Sequence, residues 1–457
     1  MTESKKTIAY ITVAVVLAAI AWLTTPGQLR TGRSDDQGSP FFPNFTDPNA
    51  ATSIEIISFD PASGTATPFK VEFKNDRWII PSHHDYPADA KDRLAKTAAG
   101  VIDIKRDEFR SDNKADYQQL GVIDPLDDKV SGLAGRGTHV TLRGAGESVL
   151  ADFIVGNPVA GKSGYRFVRV PSEQRVFAAR IDVDLSANFE DWINRDLFEI
   201  DRSDITRIVI NDYSINERTG GMEPHDNFSL DNKDGKWKLA RAGASQSPDS
   251  AKVMQLLTAL DDLKIVGVRP KPDALVQALQ GRAQTQISQT ELLSLQSKGF
   301  YISRAGQLLS NDGELAVFLK DGVEFLLRFG EVLYGSGSAV TAGTEDSTAS
   351  AQRSGSTNRY LFVTAQFEPA LAREPKRPSN DDWRTKPDSL MSATDKQNKS
   401  LGMAHDAWQR SAANGRQLAT DLNARFSNWY YVIPEESYEK VKVKRTDLMA
   451  KATSPAK

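Results

Sequence analysis

The feature that most constrains this fold is a short unit, Phe69 to Gly100, that recurs in looser form about one domain further along the chain. It reads FKVEFKNDRWIIPSHHDYPADAKDRLAKTAAG. Phe69, Val71 and Phe73 alternate with Lys70, Glu72 and Lys74, a period of two that gives a strand one apolar and one solvated face. Asn75 and Asp76 turn the chain into a second strand carrying Trp78 and Ile80, with Trp78 expected in the core. Pro87 and Gly100 bracket a helix on which Ala90, Leu94, Ala98 and Val101 recur at helical spacing. Such a helix must lay its stripe on an apolar sheet face, so the unit predicts an α+β domain.

The second copy places Phe228 and Leu230 on a strand, Asp234-Gly235 at the turn and Trp237 in the position of Trp78. Ser247 then reads as a cap, Pro248 as the first helical residue, and Val253, Leu256, Leu260 and Leu263 as the stripe. In the first copy the strands continue through 138–142, 149–155, 165–170, 177–181 and 205–210, with FEDWINRDL as a short helix burying Trp192. In the second they continue through 315–320, 323–330 and 359–362, where Gly330 answers Gly156. The predicted organisation is two tandem related domains of antiparallel sheet with a packed helix, at 52–211 and 212–369, with a flexible insertion at 335–356. A helical C-terminal segment at 370–457 follows, its aromatics packing on a preceding domain.

Ahead of the domains, Lys5 and Lys6 precede Thr7 to Thr24, a charge-free run. As a helix it would span roughly 27 Å, close to the hydrocarbon thickness of a bilayer. The expectation is an N-terminal transmembrane helix within residues 1–25, uncleaved because Trp22 and Leu23 carry the apolar run past the small pair Ala19 and Ala21. The flanking lysines orient the bulk of the chain outside the cytoplasm. Residues 26–51, rich in Pro, Gly, Asn and Asp, read as a tether whose FFPNF patch docks on the first domain.

With 57 basic and 60 acidic side chains the net charge is -3, which provides no global field for nucleic acid. The absence of cysteine excludes disulfides, thiolate metal sites and cysteine nucleophiles.

The series RWIIP, HHDYPAD and helix, then LGVIDP, a hairpin ending in FIVG and the YRFVR strand, resembles the membrane-anchored bacterial family called domain of unknown function 4340. FEDWINRDL and NWYYVIPEESYEKV are similar to its longer, two-repeat members, and the resemblance covers most of Phe42 to Leu448. It implies a single-pass extracytoplasmic protein of the bacterial inner membrane, often encoded beside ABC-type exporter and gliding-motility-like auxiliary components. It supplies no catalytic residues.

One motif points elsewhere. Gly156 to Ser163, GNPVAGKS, matches the phosphate-cradling pattern through Gly156, Gly161, Lys162 and Ser163, and it follows a strand. A phosphate loop needs a helix directly after Lys-Ser, whose free N–H groups meet the phosphates. Here Tyr165, Phe167 and Arg169 alternate with Arg166, Val168 and Val170, which is a strand pattern, so the segment reads as a hairpin loop without nucleotide. His83-His84-Asp85 could ligate a metal, but His139, His225 and His405 fall in unrelated segments, so a solvated loop is expected. Glu190, Asp191 and Asp196 could form an acid pair and read instead as a solvated face; Trp78 and Trp237 could stack on sugars and read instead as core. The expectation is a non-enzymatic binding or scaffolding protein with no cofactor or metal, set among membrane or envelope proteins such as ABC transporter subunits. The alternative is an enzyme, either an NTPase using GNPVAGKS or an envelope-polymer hydrolase.

Overall fold

The computed structural model describes residues 36–449 except 63, 217–220, 234, 241–247, 280–286, 304, 336, 344–355 and 370–373. The chain divides into two compact units: one runs up to Trp78 and resumes at Ala90–Ala187, the other joins Ile79–Asp89 to Asn188 onward. The second unit thus begins upstream of 212 and also takes in the middle of the first repeated motif.

In the first unit β1 (Ser53–Asp60) and β2 (Thr65–Lys74) form a hairpin, and β3 (Arg77–Ile80) begins after a tight turn. Asn75 and Asp76 adopt φ of 51° and 59°, the left-handed geometry that matches the twist of a two-residue hairpin. Phe69 and Val71 are buried as their alternation requires, whereas Phe73 is 45% exposed. β3 pairs Ile79 with Pro87 and Ile80 with Tyr86 of β4 (Tyr86–Pro87), residues that belong to the second unit. After α1 (Lys91–Ile102) come β5 (Glu108–Ser111), the single turn α2 (Tyr117–Leu120), β6 (Thr138–Arg143), β7 (Val149–Pro158), β8 (Tyr165–Arg169) and β9 (Val176–Arg180). Within this unit the antiparallel strands run in the order β2-β1-β6-β7-β8-β9-β5. α1 buries Leu94, Ala98 and Val101 as predicted, yet it continues past Gly100. That glycine is not a terminator: a Cβ there would lie 2.8 Å from the Cβ of Val183, so its role is close packing.

The second unit repeats this order. Its strands are β10 (Ile205–Asn216), β11 (Gly221–Lys233), β12 (Lys236–Leu239), β13 (Gly267–Pro270), the small pair β14 (Phe300–Ile302) and β15 (Leu308–Ser310), β16 (Glu314–Leu319), β17 (Val323–Gly335), β18 (Ser356–Phe367) and β19 (Trp429–Pro434). The main sheet runs β12-β11-β10-β16-β17-β18-β19-β13. α3 (Ser250–Asp261) buries Val253, Leu256 and Leu260, but its cap is Asp249, whose carboxylate accepts from Ala251 N at 2.8 Å; Ser247 lies outside the described residues. α4 (Asp273–Leu279), α5 (Gln289–Gln296), α6 (Ser338–Thr341), α7 (Ala393–Phe426) and α8 (Glu435–Val441) complete the unit.

The expected fold class needs two corrections. Among the described residues no helix is long and apolar enough to cross a membrane, so the expected N-terminal transmembrane helix is not supported; Thr7 to Thr24, on which that expectation falls, lies outside the described residues. The C-terminal segment, moreover, is not a helical appendage. β19 sits between β18 and β13, pairing Tyr360 with Val432 and Val268 with Tyr431, so it supplies an interior strand of the second sheet. The long α7 occupies the connection that β8 and β9 make directly in the first unit, and it packs on β18 through an amide exchange in which Ala365 N donates to Asn423 Oδ1 at 3.0 Å. The expected tether also becomes structured by Asp36: Phe41 and Phe45 are buried, and Phe41 N donates to Ile104 O.

In both units the long central strand is crossed closely by the chain leaving a helix. A Cβ on Gly156 would lie 2.4 Å from Leu120 O, and one on Gly330 would lie 2.2 Å from Lys298 O. Replacing either glycine by alanine is expected to cost about 1–3 kcal/mol by overpacking, or more where the backbone cannot yield. Urea denaturation of Gly156→Ala and Gly330→Ala, read as a lowered midpoint at unchanged slope, checks this.

Candidate functional site

The GNPVAGKS segment is a hairpin connection. Val159 N donates to Tyr165 O and Lys162 N to Val159 O, Gly161 takes the positive φ of the turn, and β8 follows directly. The Lys162 ammonium donates to Glu108 Oε2 at 2.5 Å and lies 5.6 Å from the Tyr165 ring centre. Gly156 is held by its close approach to Leu120 O, so the segment's glycines and lysine serve the strand connection.

His83 departs from the solvated loop expected of it. It is buried, bonded through Nδ1 to Ser82 Oγ and through Nε2 to Thr341 Oγ1, both at 2.9 Å, and its ring stacks on Phe189 with centroids 4.2 Å apart. Burial, helped by electrostatic repulsion from the neighbouring His84 and Arg269 side chains, lowers its pKa to about 4, so the ring is neutral. His84 remains exposed and donates from Nε2 to Ala342 O. Together the two histidines hold the Ile79–Asp89 segment to the Thr341–Ala342 turn.

The acid candidates are structural groups. Glu190 pairs with Arg195, and Asp196 Oδ1 accepts from the N–H groups of Phe198 and Glu199 beside the fully buried Trp192. Trp78 and Trp237 are half-buried rather than core residues, Trp78 lying 5.3 Å from the exposed Phe73. His225 and His405 pair separately with Asp212 and Glu374. Among the described residues no group of three or more histidine or carboxylate side chains is placed to hold a metal ion.

What the structure does assemble lies in the first unit, around LGVIDP. The chain crossing Gly156 brings Asp124 to His139 on β6. His139 lies 3.2 Å from Asp124 Oδ2 through Nδ1 and 2.6 Å from Asp152 Oδ1 through Nε2, while Thr141 Oγ donates to the same Asp152 oxygen. Burial alone would lower the imidazole pKa; the two carboxylates outweigh it and raise the value to about 9, so His139 is a cation between two anions. Beyond Asp124 the chain wraps around Arg136, whose guanidinium donates to the carbonyls of Asp124, Pro125, Asp127 and Val130 at 2.6–3.1 Å. Gly135 and Gly137 flank it because Cβ atoms there would meet Gln118 O at 2.4 Å and Ile154 Cγ2 at 2.5 Å. The loop so fixed forms one wall of a cleft of about 810 Å³, which Tyr117 and Arg169 also line.

Arg169 is 7% exposed. Its Nε donates to Val122 O, its Nη1 to the carbonyls of Pro171 and Glu173, and its guanidinium stacks 4.6 Å from the Tyr117 ring centre. In the sequence Arg169 shows only as part of a strand pattern and Arg136 belongs to no motif, although the glycines on both sides of Arg136 signal a crowded backbone.

The family described as Domain of unknown function (DUF4340) matches residues 78–280, a span that contains this cleft. The chain resembles that family. No curated protein and no solved structure matches.

Because His139 is charged in the folded state with a pKa of about 9 against an ordinary 6.5, its pairing stabilises the first unit fully below about pH 6.5. That contribution is lost as pH rises through about 9. The melting temperature of the wild-type chain should therefore fall between these values relative to His139→Gln, the two curves converging at the alkaline end.

Proposed function

We propose that the protein is a non-enzymatic binding or scaffolding subunit that works outside the cytoplasm beside an ABC-type export or gliding-motility-like envelope system. The observation that carries this reading is the use made of the motif side chains. Lys162, His83, Glu190, Asp196 and His139 each satisfy partners within their own unit and thereby fix loops. One cleft of the first unit is instead walled by a rigid loop and lined by Lys114, Lys129 and Arg169, which make no ion pair among the described residues, as in a groove that receives another chain. The export setting follows from what the family resemblance implies, and the partners are envelope proteins such as transporter subunits.

Two measurements test the reading. Affinity purification of the full chain from solubilised cells is expected to recover an export-system subunit in stoichiometric amount, and a reporter fused after residue 60 is expected to be active only outside the cytoplasm. Calorimetric titration with ATP and magnesium is expected to give no saturable heat, and Lys162→Ala to leave both the melting temperature and partner recovery unchanged. Micromolar nucleotide binding that vanishes in Lys162→Ala would replace the binding reading with the NTPase alternative.

A further inference from the structure

A buried guanidinium is costly without a counter-ion, and arginines in protein interiors are ordinarily paired with carboxylates. Arg169 departs from that rule. Its three hydrogen bonds go to neutral carbonyls, and Nη2 donates to no described residue. The carboxylates nearest in charge are engaged elsewhere: Asp124 with His139 and with Leu126 N at 2.9 Å, Asp127 with Lys129 N at 3.0 Å. Glu173, at the edge of the same cleft, is held bidentate by Arg106, with both distances 2.8 Å. Among the described residues Lys114 and Lys129 also line the cleft without an ion pair, and Asp127 and Asp128 are the carboxylates there without one, two against the three cations. Once internal pairs are set aside, the charge left to meet a ligand is positive.

We propose that this cleft receives an acidic segment of a protein partner, with one carboxylate seated on Arg169 and further acidic groups near Lys114 and Lys129. The proposal rests on the binding-subunit reading and names its ligand chemistry. A guanidinium fixed by stacking on Tyr117 and by bonds through Nε and Nη1 presents its remaining N–H groups at low entropic cost, which suits a carboxylate better than a mobile lysine does. Apolar surface lies beside the charges: Ile123 and Val130 line the cleft, and Leu126 stands 58% exposed at it. An acidic peptide carrying aliphatic side chains therefore matches both components of the lining. The wall is also formed before any ligand arrives, because Arg136 ties four of its carbonyls together.

The test is calorimetric titration of the full chain, at low and high salt, with a capped hexapeptide alternating aspartate and leucine. Its aspartate-to-lysine counterpart, free aspartate and inorganic phosphate serve as comparison ligands. Saturable binding is expected for the acidic peptide alone, weaker at high salt and reduced roughly tenfold or more in K114A/K129A. Arg169→Lys should abolish binding while Tm reports whether it is folded; should it unfold, the surface lysine pair still decides. Absence of binding, equal binding of the lysine peptide, equal binding of phosphate or free aspartate, or an unchanged K114A/K129A variant would each overturn the proposal. If the peptide fails while an export subunit still co-purifies, the cleft assignment falls and the binding-subunit reading stands; nucleotide binding lost in Lys162→Ala would remove that reading itself.

Discussion

At one glycine on the long strand of each sheet, a carbonyl oxygen crowds the place a β-carbon would take. Leu120 O over Gly156 and Lys298 O over Gly330 press the segment leaving a helix flat against the long strand of its sheet. In the first unit the rest of the site follows from that contact. The pressed segment carries Val122 to the Nε of Arg169 and Asp124 to His139, and only then does the chain turn around Arg136 to form the cleft wall. A side chain at position 156 would separate these layers and so disturb four charged groups, Arg169, Asp124, His139 and Arg136.

The parts of the fold legible in the sequence are those with a regular period and one wet face. Phe69 and Val71, the stripe of α1 and the stripe of α3 are buried as their spacing requires, and Asn75-Asp76 adopts the turn its residues favour. β19 was not legible for a physical reason: WYYVIP is buried almost throughout, and an interior strand covered on both faces shows no alternation to read. Its position after a 34-residue helix made it look like the tail of a helical segment.

The site was less legible still. The phosphate-loop pattern was visible because it is a string of residue types, yet the same string closes a hairpin when a strand follows. Arg136 binds backbone carbonyls, which leave no mark in sequence, and Arg169 is unusual only for the carboxylate it lacks. Lys271 shows the same limit in the second unit. Burial, with Arg328 nearby, holds its amine well below the ordinary lysine range, while Nζ donates to Phe426 O at the end of α7 and lies 3.6 Å from the Phe362 ring centre. Nothing local to its sequence names a helix end 155 residues away.

The late position of β19 bears on how the protein is made. Gly267–Pro270 pairs with Trp429–Pro434, so an edge strand synthesised early has no neighbour until nearly the whole chain has left the ribosome. During that interval β18 lacks its partner on one side and the second sheet is open at its interior. Joining strands so far apart carries a slow loop-closure step, and open strands invite pairing with other chains. The first unit draws all its strands from before residue 181 and can close while the second is still waiting, so premature termination before residue 434 would yield one finished sheet joined to an adhesive one.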